Sequence, residues 1–138
     1  MIYLDSSALM KLVRQEKETA ALREWLNARP EQAVVTSELG RVEVLRAARR
    51  LGSQAPTQAR AVIGDLDLIP LERPVQDLAC DTAEPLLRTL EALHLASAVL
   101  LRAELTAFVA YDHRLVAAAE TAGLAVATPG RHPPRRAR

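Results

Sequence analysis

Short apolar runs alternate along the chain with longer stretches in which apolar residues return every three or four positions. The first pattern marks strands buried on both faces, the second amphipathic helices. Residues 2–4 form a brief strand closed by Asp5. Residues 6–14 and 17–28 read as helices, the second with Ala20, Ala21, Trp25 and Ala28 along one face. Residues 33–35 are a second strand. Thr36 and Ser37 then offer caps for a helix that runs through Arg50 and stops at Gly52. A helix over 56–64, a strand over 66–71 and a helix over 75–83 follow. Thr89 caps an apolar helix over 90–104, and a fourth strand, 106–110, is stopped by Tyr111 and Asp112. A helix over 113–122 ends at Gly123, and a fifth strand spans 124–127.

Strands separated by helices cannot pair as hairpins; they imply right-handed crossovers and a parallel sheet covered on both faces. The expected fold is α/β, a three-layer α/β/α sandwich around a central, mainly parallel five-stranded sheet. At 138 residues the chain fits one domain. We place it at residues 1–130, with 131–138 as a flexible basic tail.

Composition narrows the function. Aromatic residues make up 3% of the chain, so Leu, Ala and Val build the core. Nucleic-acid modules that stack bases on exposed aromatics are thereby disfavoured. A single cysteine, Cys80, excludes an intrachain disulfide and a multi-cysteine zinc site. It reads as a small buried hydrophobe. No apolar run approaches the ~20 residues of a membrane span. The opening MIYLDSSALM lacks a signal peptide's basic start and long apolar segment, so a cytoplasmic location is expected. The net charge of +1 conceals an asymmetry: Arg131, Arg135, Arg136 and Arg138 lie in the tail. Without them 14 basic residues face 17 acidic ones, a body at −3. Any nucleic-acid function must therefore rest on local features rather than bulk charge.

Candidate chemistry lies in four acids. In open α/β sheets, function sits beyond the carboxyl ends of the strands. Asp5 follows the first strand and Asp112 the fourth. Glu43 lies about two turns into the helix after the second strand, and Glu91 opens the helix leading to the fourth. Each also has a purely structural reading. Asp5 and Asp112 suit helix N-caps, and Glu91 suits the positive end of a helix dipole. Glu43, beside the apolar Leu39–Val42–Leu45 stripe, could pair with Arg46 or Arg50.

The local context of these acids resembles the PIN domain, and within it the VapC toxins of bacterial VapBC toxin–antitoxin modules. Ile2-Tyr3-Leu4-Asp5-Ser6-Ser7 is similar to the family's strand–Asp–Ser opening, and Thr36-Ser37-Glu38-Leu39-Gly40-Arg41-Val42-Glu43 to its second motif. Leu90-Glu91-Ala92-Leu93-His94-Leu95-Ala96 resembles the third motif, and Ala110-Tyr111-Asp112-His113-Arg114-Leu115 the fourth. The likeness covers residues 1–128. It departs at Glu91, where the family usually carries Asp; the added methylene displaces the carboxylate by ~1.5 Å, and Mg²⁺ tolerates little departure from octahedral geometry.

The resemblance implies an endoribonuclease toxin in which Asp5, Asp112, Glu43 and Glu91 hold Mg²⁺, or Mn²⁺, leaving 5′-phosphate and 3′-hydroxyl ends. Hard oxygen ligands select these ions over zinc, and a bound ion activates water against an anionic phosphodiester. It further implies an RNA substrate, a cognate VapB-like antitoxin and a homodimer, with no membrane association. Ser6, a supporting candidate, or Ser7 could hydrogen-bond Asp5 or orient a water, or be simply a helix-start cap. Arg46, with Arg41, Arg49 and Arg50, reads as a phosphate clamp or as a solvated face. His94 reads as a packed helix residue, and Trp25 and Phe108 as core. His113 and His132 have no evident partner.

Two rivals stand beside this reading. A catalytically weak or inactive PIN-like scaffold that binds RNA or protein is favoured by Glu91. An aspartyl phosphotransferase would need a second Asp two residues after the first, where Ser7 stands.

Overall fold

Each apolar run folds as a strand and each periodic stretch as a helix in the computed structural model, which describes residues 1–82 and 84–132. The order is β1 (Ile2–Leu4), α1 (Ser6–Val13), α2 (Thr19–Asn27), β2 (Val34–Ser37), α3 (Glu38–Ala48), α4 (Ala55–Gly64), β3 (Asp67–Ile69), α5 (Arg73–Cys80), α6 (Thr89–Leu100), β4 (Ala107–Val109), α7 (His113–Thr121) and β5 (Val126–Ala127).

Among the described residues the strands form one sheet in the order β3-β2-β1-β4-β5, with every neighbouring pair parallel. The expected three-layer sandwich is therefore the fold. Alternation along the strands divides the core by face. Ile2, Leu4 and Val109 pack with Leu9, Leu22, Val44 and Ile63 of α1–α4. Tyr3, Val35 and Phe108 point the other way, onto Ala92, Leu95 and Ala98 of α6 and Leu115 and Ala119 of α7.

This order decides where the site lies. From β1 the chain winds outward through β2 to β3, then crosses back to β4 on the opposite flank. The winding reverses between β1 and β4, and the crevice beyond their carboxyl ends is where open α/β sheets bind ligands. Asp5 and Asp112 emerge there. The Asp5 backbone N–H still bonds Val109 O at 3.1 Å, so the two strand ends are laced together up to the site.

Several local expectations are corrected. β2 continues through Ser37 because Thr36, fully buried, donates its hydroxyl to Leu4 O at 2.7 Å and so stays in the strand. Ser37 alone caps α3, accepting Leu39 N–H at 3.0 Å. α5 begins at Arg73, because Pro74 suits a first helical turn that needs no N–H donor. α6 ends at Leu100 instead of 104, where i→i+3 bonds (Leu101 N to Ala98 O, Arg102 N to Val99 O) tighten the chain into turns. α2 faces inward with Thr19 and Leu22, its alanines covering too little surface to define the buried side. Trp25 is half-buried, with the Arg29 guanidinium 4.0 Å from its ring centre, whereas Phe108 is core and stacks on Tyr3. Cys80 is exposed, at the solvent end of α5, not buried. Gly123 ends α7 with φ +81°, a conformation that strains other residues. No described helix is long and apolar enough to cross a membrane. Residue 83 and most of the expected tail, 133–138, lie outside the described residues. Arg131 stands against the body, 3.7 Å from Glu18 and over the Tyr111 ring.

Candidate active site

All four acids line one pocket of about 300 Å³ beyond β1 and β4, together with Ser6, Ser7, Arg88, Thr89, Leu90, His94 and Leu115. A larger hollow, about 400 Å³, is lined mainly by aliphatic side chains such as Leu86, Leu95 and Ala118, with Glu84 and Arg114 also present. It gathers no comparable set of acids.

Three of the acids make the expected structural contacts and also line the pocket. Asp5 caps α1, accepting Ala8 N–H at 2.9 Å and the Ser7 hydroxyl at 2.6 Å on Oδ1. Asp112 caps α7 through its own Oδ1, which accepts Arg114 N–H and Leu115 N–H, both at 3.0 Å. Glu91 closes the first turn of α6, its Oε2 accepting Arg88 N–H at 2.9 Å. Among the described hydrogen bonds, each of these carboxylates is engaged through one oxygen only. The bonded oxygen fixes the fold, and the second is left to the pocket.

Glu43 differs. The expected partners Arg46 and Arg50 do not reach it; both are exposed, and Arg46 is not among the pocket residues. Glu43 instead turns toward α6, where its Oε1 meets His94 Nε2 at 2.6 Å and accepts the Ser6 hydroxyl at 3.1 Å. Of the two serines expected to reach Asp5, Ser7 does so, while Ser6 braces Glu43. Ser7 also accepts Tyr111 N–H at 2.9 Å, tying the residue before Asp112 to the end of β1.

His94 is packed as expected, at 2% exposure, but its polar contacts join the site to the core. Its Nδ1 lies 2.7 Å from the Tyr3 hydroxyl and its Nε2 borders Glu43 and Ser6. Sequence reasoning missed this role, and missed Arg88 at the pocket. The available signal was the three-residue step from Glu91 to His94, which places both on one side of α6.

Asp5 is the most enclosed acid, 3% exposed. Burial pushes its pKa above the usual carboxylate range. The hydrogen bonds from Ser7 and Ala8 and the nearby His94 oppose that rise, while Glu43 adds to it. A cation in the pocket would offset the cost of a buried negative charge.

The donor set suits a hard cation: four carboxylates, the hydroxyls of Ser6, Ser7 and Thr89, one imidazole and no thiolate. Among the described residues, no three His, Cys, Asp or Glu side chains stand close enough to hold an ion jointly as they lie. A hard cation that keeps part of its water shell needs only one or two direct carboxylates.

The description "PIN domain" matches residues 2–122 of the chain as a family. Ribonuclease VapC47 of Mycobacterium tuberculosis is 47% identical over 133 residues, covering 94% of this chain and 98% of that protein. Among solved structures, M. tuberculosis VapC20, described as a sarcin–ricin loop cleaving toxin, superposes with a TM-score of 0.72 at 18% identity, covering 94% of this chain and 100% of that one. A toxin–antitoxin complex from Klebsiella pneumoniae gives a TM-score of 0.71 at 19% identity, covering 94% and 98%. The order of the strands, the pocket at their reversal point and these likenesses agree: the chain belongs to the PIN-domain family, in the VapC branch that its relatives occupy.

Proposed function

We propose that the chain is the ribonuclease toxin of a toxin–antitoxin pair, a Mg²⁺-dependent endoribonuclease that hydrolyses RNA phosphodiester bonds. The observation that carries this reading is the convergence of Asp5, Glu43, Glu91 and Asp112, from four separate segments, on one pocket at the switch point of the sheet. The naming of the relatives as ribonucleases supplies the substrate class.

Asp5 and Asp112, rooted at strand ends, are the principal ligands through the oxygens their caps leave free. Glu43 and Glu91 complete the site directly or through waters. When bound, Mg²⁺ or Mn²⁺ supplies positive charge against the anionic phosphate and makes water a stronger nucleophile. The protein holds that arrangement rigid: Ser7 and Ala8 fix Asp5, the α7 backbone fixes Asp112, and Ser6 and His94 fix Glu43. Arg88, among the pocket residues, is placed to meet a substrate phosphate, and the exposed Arg41, Arg46, Arg49 and Arg50 extend that positive surface along α3. The partner is a VapB-like antitoxin, in keeping with the toxin–antitoxin complex that shares the fold. The chain works as a homodimer in the cytoplasm.

The test incubates the purified protein with structured RNAs in Mg²⁺, Mn²⁺ or EDTA, beside Asp5→Asn. Cleavage that persists in EDTA, or in the variant, overturns the mechanism. One observation favours a second reading, a weakly cutting or inactive scaffold: Glu91 commits Oε2 to the Arg88 backbone where the family usually carries the shorter Asp. Activity that appears only on Glu91→Asp would select that reading.

A further inference from the structure

Of the polar groups around the pocket, one set runs inward rather than toward solvent. Tyr3, fully buried in β1, His94 in α6 and Glu43 in α3 form a continuous line from the core to the pocket, with distances of 2.7 and 2.6 Å. With Glu43 ionised and the His94 ring neutral, donor and acceptor counting leaves one assignment. The Glu43 carboxylate accepts only, so His94 Nε2 carries a proton and donates it. The neutral ring then has a lone pair on Nδ1, and the Tyr3 hydroxyl donates to it. Ser6 supplies the second donor to Glu43 Oε1.

We infer that His94 is a positioning residue for Glu43, its tautomer set by Tyr3, so that one Glu43 oxygen is held by the protein and the other is presented to a divalent cation. This rests on the reading of the pocket as a cation site. Such outer partners orient a ligating group and raise its affinity for metal.

Three further features support the assignment. Tyr3 is immobilised by stacking on Phe108, with ring centres 5.4 Å apart, and it meets the His94 ring edge-on at 82°. The Tyr3 hydroxyl therefore has a fixed origin in the sheet. Gly40, one turn before Glu43, leaves the ring its space: a Cβ there would lie 3.3 Å from His94 Cε1 and 2.5 Å from Thr36 Oγ1. Glu43 also lacks the backbone N–H bonds that fix the other three acids among the described contacts. Without His94 and Ser6 it would be free to rotate.

The experiment separates donor geometry from packing. Asn at position 94 fills space but cannot carry an amide nitrogen to the place of Nε2, whereas Gln can. Mn²⁺ affinity, read by electron paramagnetic resonance, is expected to fall about 10–100-fold in His94→Asn. In His94→Gln the loss is expected to stay below about 10-fold, short of that for a removed outer partner. Parent-like Mn²⁺ affinity in a folded His94→Asn protein overturns the inference. Should that variant not fold, ¹⁵N spectra of the parent decide: a proton on Nε2 and none on Nδ1 is expected, with the tautomers mixing in Tyr3→Phe. A ring protonated on Nδ1, alone or with Nε2, overturns it. If the parent cuts no RNA, the ribonuclease reading fails by itself, and Mn²⁺ affinity and ring protonation still decide the role of His94.

Discussion

The Ser7 hydroxyl donates a hydrogen bond to Asp5 Oδ1 at 2.6 Å, and the same oxygen accepts the Tyr111 backbone N–H at 2.9 Å. One side chain thus steadies the buried acid at the end of β1 and the backbone beside the acid that follows β4. Replacing Ser7 by Ala leaves Tyr111 N–H without its partner and removes a donor from a buried carboxylate. Unfolding in urea is expected to show a loss of about 1–3 kcal/mol. RNA cleavage should fall as well, since both strand-end acids lose their common tether.

Asp5→Asn should separate stability from activity. Burial raises the Asp5 pKa in the folded protein above its unfolded value. A carboxyl so shifted favours folding while protonated, below the unfolded pKa, and that contribution is lost as pH rises through the folded pKa. Asn is neutral at every pH and still accepts Ala8 N–H. In EDTA at pH 7 the variant is expected to melt at or above the parent temperature, and the gap should close in acid. Its cleavage rate should drop by more than ~100-fold, beyond the loss typical of an outer partner. A variant that melts clearly below the parent at pH 7 would refute the buried-charge account.

Lys11 makes a different kind of statement about charge. It is buried, contacts Glu16 and Glu18 at 2.9 Å each, and lies 4.6 Å from the Tyr111 ring centre. Burial alone would lower its pKa, yet the two glutamates outweigh burial and raise it. Lys11 in turn pulls both glutamates below their ordinary range. The glutamate contribution is present above the unfolded carboxylate pKa and lost as pH falls through the folded value; that of the lysine is lost as pH rises through its raised value. Stability should be flat between those limits. Lys11→Met leaves the buried Glu18 with the longer contact to Arg131, 3.7 Å away, and is expected to cost about 1–3 kcal/mol at pH 7, with a smaller penalty in acid. Thermal melts at pH 4 and pH 7 measure both.

Glu91→Asp shortens the side chain by one methylene and gives up the bond to Arg88 N–H. The closing of the first turn of α6 weakens, at a cost of about 1 kcal/mol. Both carboxylate oxygens become available to the pocket, so cleavage is expected to equal or exceed that of the parent. Slower cleavage in the variant would mean that the length of Glu91 is itself required.

Much of this was legible in the residues. Strand ends and helix starts are punctuated by Asp5, Ser37 and Asp112, and the local chemistry of a cap is contained in a few consecutive positions. That locality also hid the partnerships. Helical spacing pointed Glu43 toward Arg46 or Arg50, because neighbours on one helix are all that a single sequence displays. Its actual partners lie 37 and 51 residues away, and the Tyr3–His94 contact spans 91. Composition likewise favoured burial of Cys80, but α5 turns only Val75 fully inward, and its last turn ends in solvent.

The sheet order has a consequence for when the pocket can exist. β1 must wait for β4, made more than a hundred residues later, before Asp5 and Asp112 face each other. Contacts of such long sequence separation close late and slowly in folding. A growing chain that carries β1 through α5 has only part of the acid set and no opposite wall. At about 5–20 residues synthesised per second, several seconds pass between the making of β1 and that of Asp112. The topology itself delays completion of the pocket until β4 has been made and has paired with β1.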